Sequence, residues 1–227
     1  MIPIRDELKT HRTPVVNYVL ILVNVAVFLW AYVFNANPDA VYSEFAFFPN
    51  EIRQGFGVGV VRDILTSMFM HAGWFHLLGN MLYLWIFGDN IEDRLGHIGY
   101  LLFYLAGGFV AAFAHYYINP TSTIPTVGAS GAIAAVLGAY LVIYPHSRVY
   151  TFIPIGFFAQ LRLVPAVIVL GLWFVLQLFS GVGSLGMADQ GGTAYWAHIG
   201  GFVFGLLVGF LFKRSGREPQ PAPPNWN

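Results

Sequence analysis

The chain has 227 residues, of which 57% are hydrophobic and only 10% are Asp, Glu, Lys or Arg, and its formal net charge is zero. An ordinary soluble domain has about 25% charged residues, so this chain cannot cover itself with a polar surface and is predicted to be an integral membrane protein. The zero net charge gives no basic surface for nucleic acid, and the absence of cysteine excludes disulfides, thiolate catalysis and sulfur-ligated metal sites.

The first third of the chain predicts one membrane-spanning helix and a long loop. Residues 1–14 carry Lys and Arg side chains and are interpreted as a cytoplasmic N-terminal segment. Residues 15–34 form an apolar run of about 20 residues, which suffices to cross about 30 Å of hydrocarbon, and no cleavage pattern follows it. Residues 35–69 have a mixed composition, so we expect them to form an irregular, partly interfacial loop.

Further apolar segments predict a single membrane domain of six helices over residues 15–212. After the first span they lie at about residues 69–88, 97–118, 130–144, 161–180 and 193–212. The sequence shows neither an internal repeat nor a second domain. Residues 213–227 are short, polar and rich in proline, so they are predicted to be a disordered cytoplasmic tail. The expected fold class is therefore an all-α membrane protein.

The distribution of Lys and Arg predicts that both termini are cytoplasmic. One side of the predicted membrane domain holds Arg5, Lys9, Arg12, Arg94, Arg148, Arg162, Lys213, Arg214 and Arg217. The other side holds only Arg53 and Arg62, which lie in the long first loop. Because cytoplasmic segments carry the excess of basic residues, the first loop is predicted to be extracytoplasmic. An even number of spans agrees with this orientation.

A serine between glycines opens the fourth span, in the sequence Gly128-Ala129-Ser130-Gly131. We interpret Ser130 as a nucleophile within the membrane, and the alternative is an N-cap residue in a glycine-rich packing helix. The span has about 15 residues where about 20 are needed, so its N-terminus is expected to stop below the outer surface. Water could then reach Ser130 only through a cavity, because irregular backbone at that depth must line one.

The sixth span carries a stripe of small residues below a histidine. His198, Gly201, Gly205 and Gly209 follow one another at helical spacing. Such a stripe allows a neighbouring helix to approach closely, and the fourth span offers a matching small surface that includes Gly131 and Gly138. If the two surfaces pack together, the imidazole of His198 meets the hydroxyl of Ser130.

These two residues suggest a catalytic dyad. Neutral imidazole is a suitable base for a serine hydroxyl near neutral pH. The interiors of the six predicted spans contain no Asp or Glu, and Asp189 lies in a glycine-rich loop that would hold its side chain loosely. We therefore infer a Ser130/His198 dyad without an acidic third member.

The second span contributes polar side chains that could stabilise an oxyanion. His76 and Asn80 lie four residues apart and share a helix face. Their donors, together with the Ser130 backbone N–H at a helix start, could hold the oxygen of a tetrahedral intermediate. His71 could instead serve in water access or oxyanion contact. The alternative for His76 and Asn80 is a structural role as hydrogen-bonding groups between helices.

The chain resembles the rhomboid intramembrane serine proteases. The resemblance rests on three segments: His71-x-x-x-x-His76-x-x-x-Asn80, Gly128-x-Ser130-Gly131 and Ala197-His198-x-x-Gly201-x-x-x-Gly205. It implies a six-helix core that cleaves single-pass membrane proteins in or beside their transmembrane segments, without metal or other cofactor. It also implies Ser130 as nucleophile, His198 as base, and an oxyanion hole formed by His76, Asn80 and the Ser130 N–H, with Gly128 as support.

The resemblance carries further expectations and two departures. We expect the site to face the extracytoplasmic side of the plasma (cell inner) membrane, and substrates to approach laterally past a mobile fifth helix. The family often has a Trp-Arg pair where this chain has Val61-Arg62, so the first loop is expected to be anchored differently. Some members have an aromatic residue at the position of Ala134 that stacks on the catalytic histidine, so here the orientation of His198 is expected to depend on glycine packing.

Three other functions are open to a chain of this kind. A catalytically silent relative would bind membrane proteins without cutting them, although Ser130 and His198 are both present. A small transporter would use polar groups along a path through the membrane, whereas the inner halves of these spans are almost purely apolar. A zinc enzyme would use His71, His76 and His198, but the sequence offers neither an H-E-x-x-H motif nor an interior carboxylate base.

Overall fold

The computed structural model describes residues 1–155, 158–185 and 193–213, and within these residues the chain is mostly helical. The helices are α1 (Val15–Phe28, continued by a π-helical turn at Leu29–Val33), α2 (Pro38–Phe45), α3 (Glu51–Gln54), α4 (Val58–Ser67), α5 (Trp74–Leu95), α6 (His97–Ile118), α7 (Ser130–Ile143), α8 (Ala166–Gly183) and α9 (Tyr195–Phe212). The strands are β1 (Ile2–Asp6), β2 (Arg148–Ile155) and β3 (Phe158–Pro165).

Four helical segments in the described part of the chain are long and apolar enough to cross a membrane. They are Val15–Val33, α6, α8 and α9, with mean hydropathies between 1.6 and 2.1. Helix α7 is equally apolar but has only 14 residues, and α5 is long but charged towards its C-terminus. The chain is therefore an integral, multi-pass membrane protein, while the count of six spans and the orientation stay predictions.

The segment between the first two spans is helical, so the prediction of an irregular loop is wrong. Asn37 caps α2 by accepting a hydrogen bond from the Ala40 N–H at 3.2 Å, and Pro38 occupies the first turn. Phe47 is fully buried in a small cluster with residues of α4 and α6. Packing against α6 thus gives this segment a local apolar core that composition alone does not reveal.

The chain also contains a sheet, so the all-α expectation is wrong. The three strands form an antiparallel sheet in the order β1-β2-β3, with Ile2 opposite Phe152 and Val149 opposite Val164. Residues that the sequence analysis assigned to the start of the fifth span belong to β3, and α8 begins only after Pro165. Proline disfavours helical backbone at the preceding residue, which separates strand from helix here.

Polar groups from distant segments meet where β1 lies beside α5 and α7. Helix α5 continues to Leu95, beyond its predicted end, and brings the buried carboxylate of Glu92 into the bundle, which the sequence analysis did not expect. Glu92 accepts hydrogen bonds from the Val16 and Asn17 N–H groups at 2.9 and 2.7 Å, so it caps α1. Asp6 accepts one from the Tyr140 hydroxyl at 2.6 Å.

Helix α7 lies at the centre of the bundle, between α5, α6 and α9. All of its residues from Gly131 to Tyr140 are buried. Its small face packs on the small face of α9 so closely that the helix backbones touch. A Cβ atom at Gly201 or Gly205 would overlap the carbonyl oxygen of Gly131 or Ala135, and glycine at these positions therefore sets the distance between the two helices.

The remaining two glycines of the predicted packing surface lie in the same contact. A Cβ atom at Gly138 would overlap the carbonyl oxygen of Phe202, and one at Gly209 would lie 3.1 Å from Ala139 Cα. The contact thus runs along the helices from the level of Gly131 to that of Gly209. This packing fixes the relative height of the first residues of α7 and α9.

Candidate active site

The hydroxyl of Ser130 and the imidazole of His198 are in hydrogen-bonding contact. Ser130 is the first residue of α7, and His198 lies in the first turn of α9. The distance between Ser130 Oγ and His198 Nε2 is 2.7 Å, within the range of a good hydrogen bond. His198 is buried, with 8% of its surface exposed, and Ser130 is half-buried.

Gly128 allows the chain to enter α7 beside the serine. Its φ angle is +126°, in the region that favours glycine, and its N–H donates to the Ser67 carbonyl at 2.9 Å. A Cβ atom there would lie 2.8 Å from the imidazole of His76 and 3.5 Å from Ser130 Oγ. Both the backbone conformation and the space therefore require glycine at this position.

His198 has two further neighbours that the sequence analysis did not connect with it. Its Nδ1 lies 2.7 Å from Oε1 of Gln177, and the ring of Trp173 is 5.9 Å from the imidazole centroid to centroid. Both neighbours are on α8. The orientation of His198 was expected to depend on glycine packing because residue 134 is an alanine, whereas these contacts come from side chains of α8.

A cavity of about 630 Å³ opens at the two side chains. Its walls come from the beginnings of α5, α7 and α9, the end of α6, Trp173 of α8 and the loop that precedes Ser130. Side chains that matter for its chemistry are His76, Asn80, His115, Asn119, Ser130, Trp173 and His198. Among the described residues that line it there is no Asp, Glu, Lys or Arg. The cavity therefore offers neutral donors and acceptors in apolar surroundings.

Asn80 and His76 both line this cavity. Asn80 is buried, and its Nδ2 group has no hydrogen-bond partner in the described part of the protein. The Ala72 N–H donates to Nδ1 of His76 at 3.4 Å, so the other edge of that ring faces Gly128 and the serine. A buried amide donor without a partner is unfavourable unless something else accepts from it, as an oxyanion in the cavity would.

His71 occupies a different position from the other candidates. It precedes α5, is buried with 1% exposure, and packs edge to face on His76 at a ring distance of 5.0 Å. It is not among the residues that line the cavity, so its contact with the site runs through His76. Asp189, the outer carboxylate considered above, lies outside the described residues.

Metal ligation finds little support in this arrangement. Within residues 1–155, 158–185 and 193–213, no group of three His, Cys, Asp or Glu side chains is close enough to hold a metal ion. Among the described residues, His198 Nε2 is engaged by the Ser130 hydroxyl, and no Asp or Glu lines the cavity beside it. The geometry is that of an acid–base and nucleophile pair.

Comparison with known proteins extends over the whole site. Residues 59–215 match the model of the Rhomboid domain, a range that contains Asn80, Ser130 and His198. The chain belongs to the rhomboid family. The match covers α5 to α9, so the rhomboid fold accounts for the helices that surround the cavity, whereas β1 and α1 to α3 lie before the matched range.

Individual rhomboid proteins show the same relationship. The chain is 33% identical to RHOMBOID-like protein 1 of Arabidopsis thaliana over 66% of its length. It is 28% identical to Rhomboid protein 1, mitochondrial, of Saccharomyces cerevisiae over 67% of its length. It is 30% identical to the human Presenilin-associated rhomboid-like protein, mitochondrial, over 69% of its length.

The aligned segments cover only part of each relative, namely 34%, 42% and 40% of their lengths. The chain thus shares a rhomboid core with proteins that are much longer than the segment it matches. Two of these three relatives are mitochondrial by name, so the comparisons do not support the expected plasma-membrane location.

Proposed function

We propose that this rhomboid protein is an intramembrane serine endopeptidase that hydrolyses peptide bonds in or beside the transmembrane segments of single-pass membrane proteins. The observation that carries the proposal is the 2.7 Å contact between Ser130 Oγ and His198 Nε2 at the wall of a cavity. A serine hydroxyl needs an adjacent base to act as a nucleophile, and a neutral imidazole at hydrogen-bonding distance is such a base.

The first half of the reaction is acylation of the serine. His198 Nε2 takes the hydroxyl proton while Ser130 Oγ attacks the scissile carbonyl carbon, and the carbonyl oxygen becomes an oxyanion. The protonated imidazole then gives its proton to the leaving amide nitrogen, and the C–N bond breaks. The C-terminal part of the substrate leaves as an amine, and the N-terminal part stays on Ser130 as an ester.

Hydrolysis of this ester completes the cycle. A water molecule in the cavity attacks the acyl carbon while His198 again takes a proton, and Ser130 leaves as its hydroxyl when that proton is returned. The product is a free carboxylate. The cavity volume of about 630 Å³ leaves room for both a peptide segment and water.

Stabilisation of the oxyanion is assigned to groups on α5 and α7. Asn80 Nδ2 is a buried donor that lines the cavity, and the first N–H groups of α7 have no acceptor within their own helix. His76 lies beside Gly128 and lines the same cavity. Donors aimed at a developing negative charge in apolar surroundings are worth about 10²–10³-fold in rate for each group.

The direction of substrate approach follows from the orientation predicted above. With both termini cytoplasmic, the beginnings of α7 and α9 and the cavity lie in the extracytoplasmic half of the bilayer. A transmembrane substrate must expose a carbonyl to Ser130, so substrates with helix-weakening residues near the outer surface are preferred.

A fluorophosphonate probe tests the proposal, since it reacts with an activated serine hydroxyl and Ser130→Ala shows whether Ser130 is that serine. The purified protein is labelled and also incubated with a single-pass substrate, in parallel with Ser130→Ala and His198→Ala. Ser184→Ala is the matched control, because Ser184 lines the same cavity but donates its hydroxyl to the Gly181 carbonyl at 2.8 Å. We expect labelling and cleavage by the wild type and Ser184→Ala, and neither with the other two variants.

Three results would contradict the proposal. Cleavage by Ser130→Ala at the wild-type rate would exclude Ser130 as the nucleophile. Binding of the substrate without labelling or cleavage by the wild type would favour the silent relative instead. Loss of cleavage on addition of a metal chelator would favour the zinc enzyme.

A further inference from the structure

We propose that Gln177 is the positioning residue of the dyad, in the place that an acidic residue takes in a catalytic triad. This inference rests on the proposed function. Oε1 of Gln177 lies 2.7 Å from Nδ1 of His198, on the opposite side of the ring from Ser130. The three side chains therefore form a chain of hydrogen bonds from α8 through α9 to α7.

The hydrogen bond selects the tautomer that catalysis needs. A neutral imidazole carries one ring proton, and His198 can accept the serine proton at Nε2 only if this ring proton is on Nδ1. The Nδ1–H group then needs an acceptor, and the Gln177 carbonyl oxygen is at the right distance. Without that acceptor, the proton is free to move to Nε2, where it would block the base.

Trp173 supports the same orientation. It lies one helical turn before Gln177 on α8, so both side chains project from one helix face towards His198. The indole ring lies 5.9 Å from the imidazole, with 33° between the planes. Residue 134, on α7, is an alanine and provides no ring for this purpose. The imidazole is thus held at its edge by an amide and at its face by an indole, both from α8.

The Gln177 amide lies on an apolar helix, so it needs a polar partner. Helix α8 is apolar along almost its whole length, and Gln177 is the only amide side chain on it. A polar side chain in a membrane-spanning helix is costly unless it has a partner, and His198 is that partner. Because both contacts come from α8, a displacement of this helix away from α9 would release the base from the orientation that it needs.

Two substitutions of Gln177 distinguish the effect of its hydrogen-bond acceptor from the effect of its side-chain volume. Gln177→Leu removes the acceptor at similar volume, and Gln177→Glu keeps an acceptor that cannot donate. Leu176→Ala is the control on the same helix, since Leu176 is 54% exposed on the surface of the protein. Thermal unfolding in detergent and size-exclusion profiles establish that each variant is folded before kinetics are compared.

The kinetic expectation differs between the two variants. Gln177→Leu lowers kcat about 10- to 100-fold with little change in KM, which is part of the about 10²–10⁴-fold that a positioned base supplies. Gln177→Glu retains turnover at neutral and alkaline pH, and the acidic limb of its kcat/KM profile moves upward by about 1–3 pH units, because a carboxylate favours the imidazolium. Leu176→Ala behaves as the wild type.

The other titratable side chains around the cavity are common to all of these variants. Among the described residues that line the cavity they are His76 and Tyr83 on α5 and His115 on α6. Because none of them is changed, a displacement of the acidic limb in Gln177→Glu reports the new carboxylate. A role for Gln177 in packing alone would lower stability in both variants and leave the tautomer populations of His198 unchanged in Gln177→Leu.

Nitrogen-15 NMR of labelled histidine reads the tautomer without any turnover, so it separates this inference from the proposed function. We expect His198 in the Nδ1–H form in the wild type and a larger share of the Nε2–H form in Gln177→Leu. Identical tautomer populations in both proteins, or an acidic limb in Gln177→Glu that coincides with that of the wild type, would overturn the role of Gln177. Absence of Ser130-dependent cleavage with the expected tautomers would overturn the proposed function alone.

Discussion

Replacement of Gly205 by alanine tests whether the contact between α7 and α9 sets the geometry of the dyad. The new Cβ atom would overlap the Ala135 carbonyl oxygen and would lie 2.7 Å from the carbonyl carbon and 2.8 Å from Cα of Ala135. All three are backbone atoms, which cannot rotate away. Ordinary contact begins at 3.4 Å, so α9 must retreat by at least about 0.7 Å, the difference between 3.4 and 2.7, and by more than this to clear the carbonyl oxygen.

This retreat is large compared with the range of distances over which Ser130 and His198 form a good hydrogen bond. If it is transmitted to His198, two turns earlier on α9, the distance of 2.7 Å between Ser130 and His198 grows to at least about 3.4 Å. That is beyond the range of a good hydrogen bond, about 2.5–3.2 Å. Misplacement of about 1 Å costs up to about 10²-fold in rate, and overpacking costs about 1–3 kcal/mol in stability.

The assay compares fluorophosphonate labelling rates and thermal unfolding for the wild type, Gly205→Ala and Gly171→Ala. Gly171 is a matched control, because a Cβ atom at this position of α8 meets no atom within 4 Å. We expect labelling to slow at least about tenfold in Gly205→Ala and to be unchanged in Gly171→Ala. A wild-type labelling rate and unfolding temperature in Gly205→Ala would refute the reasoning.

Three further outcomes follow from individual residues. Gly128→Ala abolishes labelling, because alanine is strained at φ +126° and its methyl group meets the His76 ring at 2.8 Å; fluorophosphonate labelling of the folded variant checks this. Asn80→Ala lowers kcat by about 10²-fold at nearly constant KM. A wild-type kcat in this variant would show that Asn80 does not stabilise the oxyanion. Burial raises the pKa of Asp6 from 3.8 to about 6, so the folded protein binds the Asp6 proton more tightly than the unfolded chain does. The free energy of unfolding then falls by about 3 kcal/mol as pH rises from about 4 to about 6, and Asp6→Asn removes this loss in pH-dependent unfolding curves.

The helices that the sequence predicted well are those whose character depends only on local composition. The predicted spans at 97–118 and 130–144 correspond to α6 and α7 with boundaries that differ by one residue at most. The second span was predicted poorly, because the carboxylates after Gly88 resemble the end of a membrane helix. In the structure Glu92 is buried and accepts hydrogen bonds from the start of α1, and the helix continues to Leu95.

The two central residues of the candidate site were also visible in the sequence. Polar side chains are rare in these apolar segments, and the glycine spacing put Ser130 and His198 at the same ends of two matching surfaces. Gln177 could have been noticed by the same criterion, as an amide in an apolar helix. Its partner could not be predicted, since 21 residues and a loop separate it from His198.

The sequence alone determined that the chain enters a membrane, where most of its helices lie, and which side chains carry candidate chemistry. These properties follow from the apolar character and the spacing of neighbouring residues. Only the tertiary structure decided that the N-terminal strand joins the hairpin β2–β3, that Glu92 caps α1, and that α8 supplies the acceptor for His198. The physical reason is that a hydrogen bond depends on distances of tenths of an ångström between remote segments, which local composition does not encode.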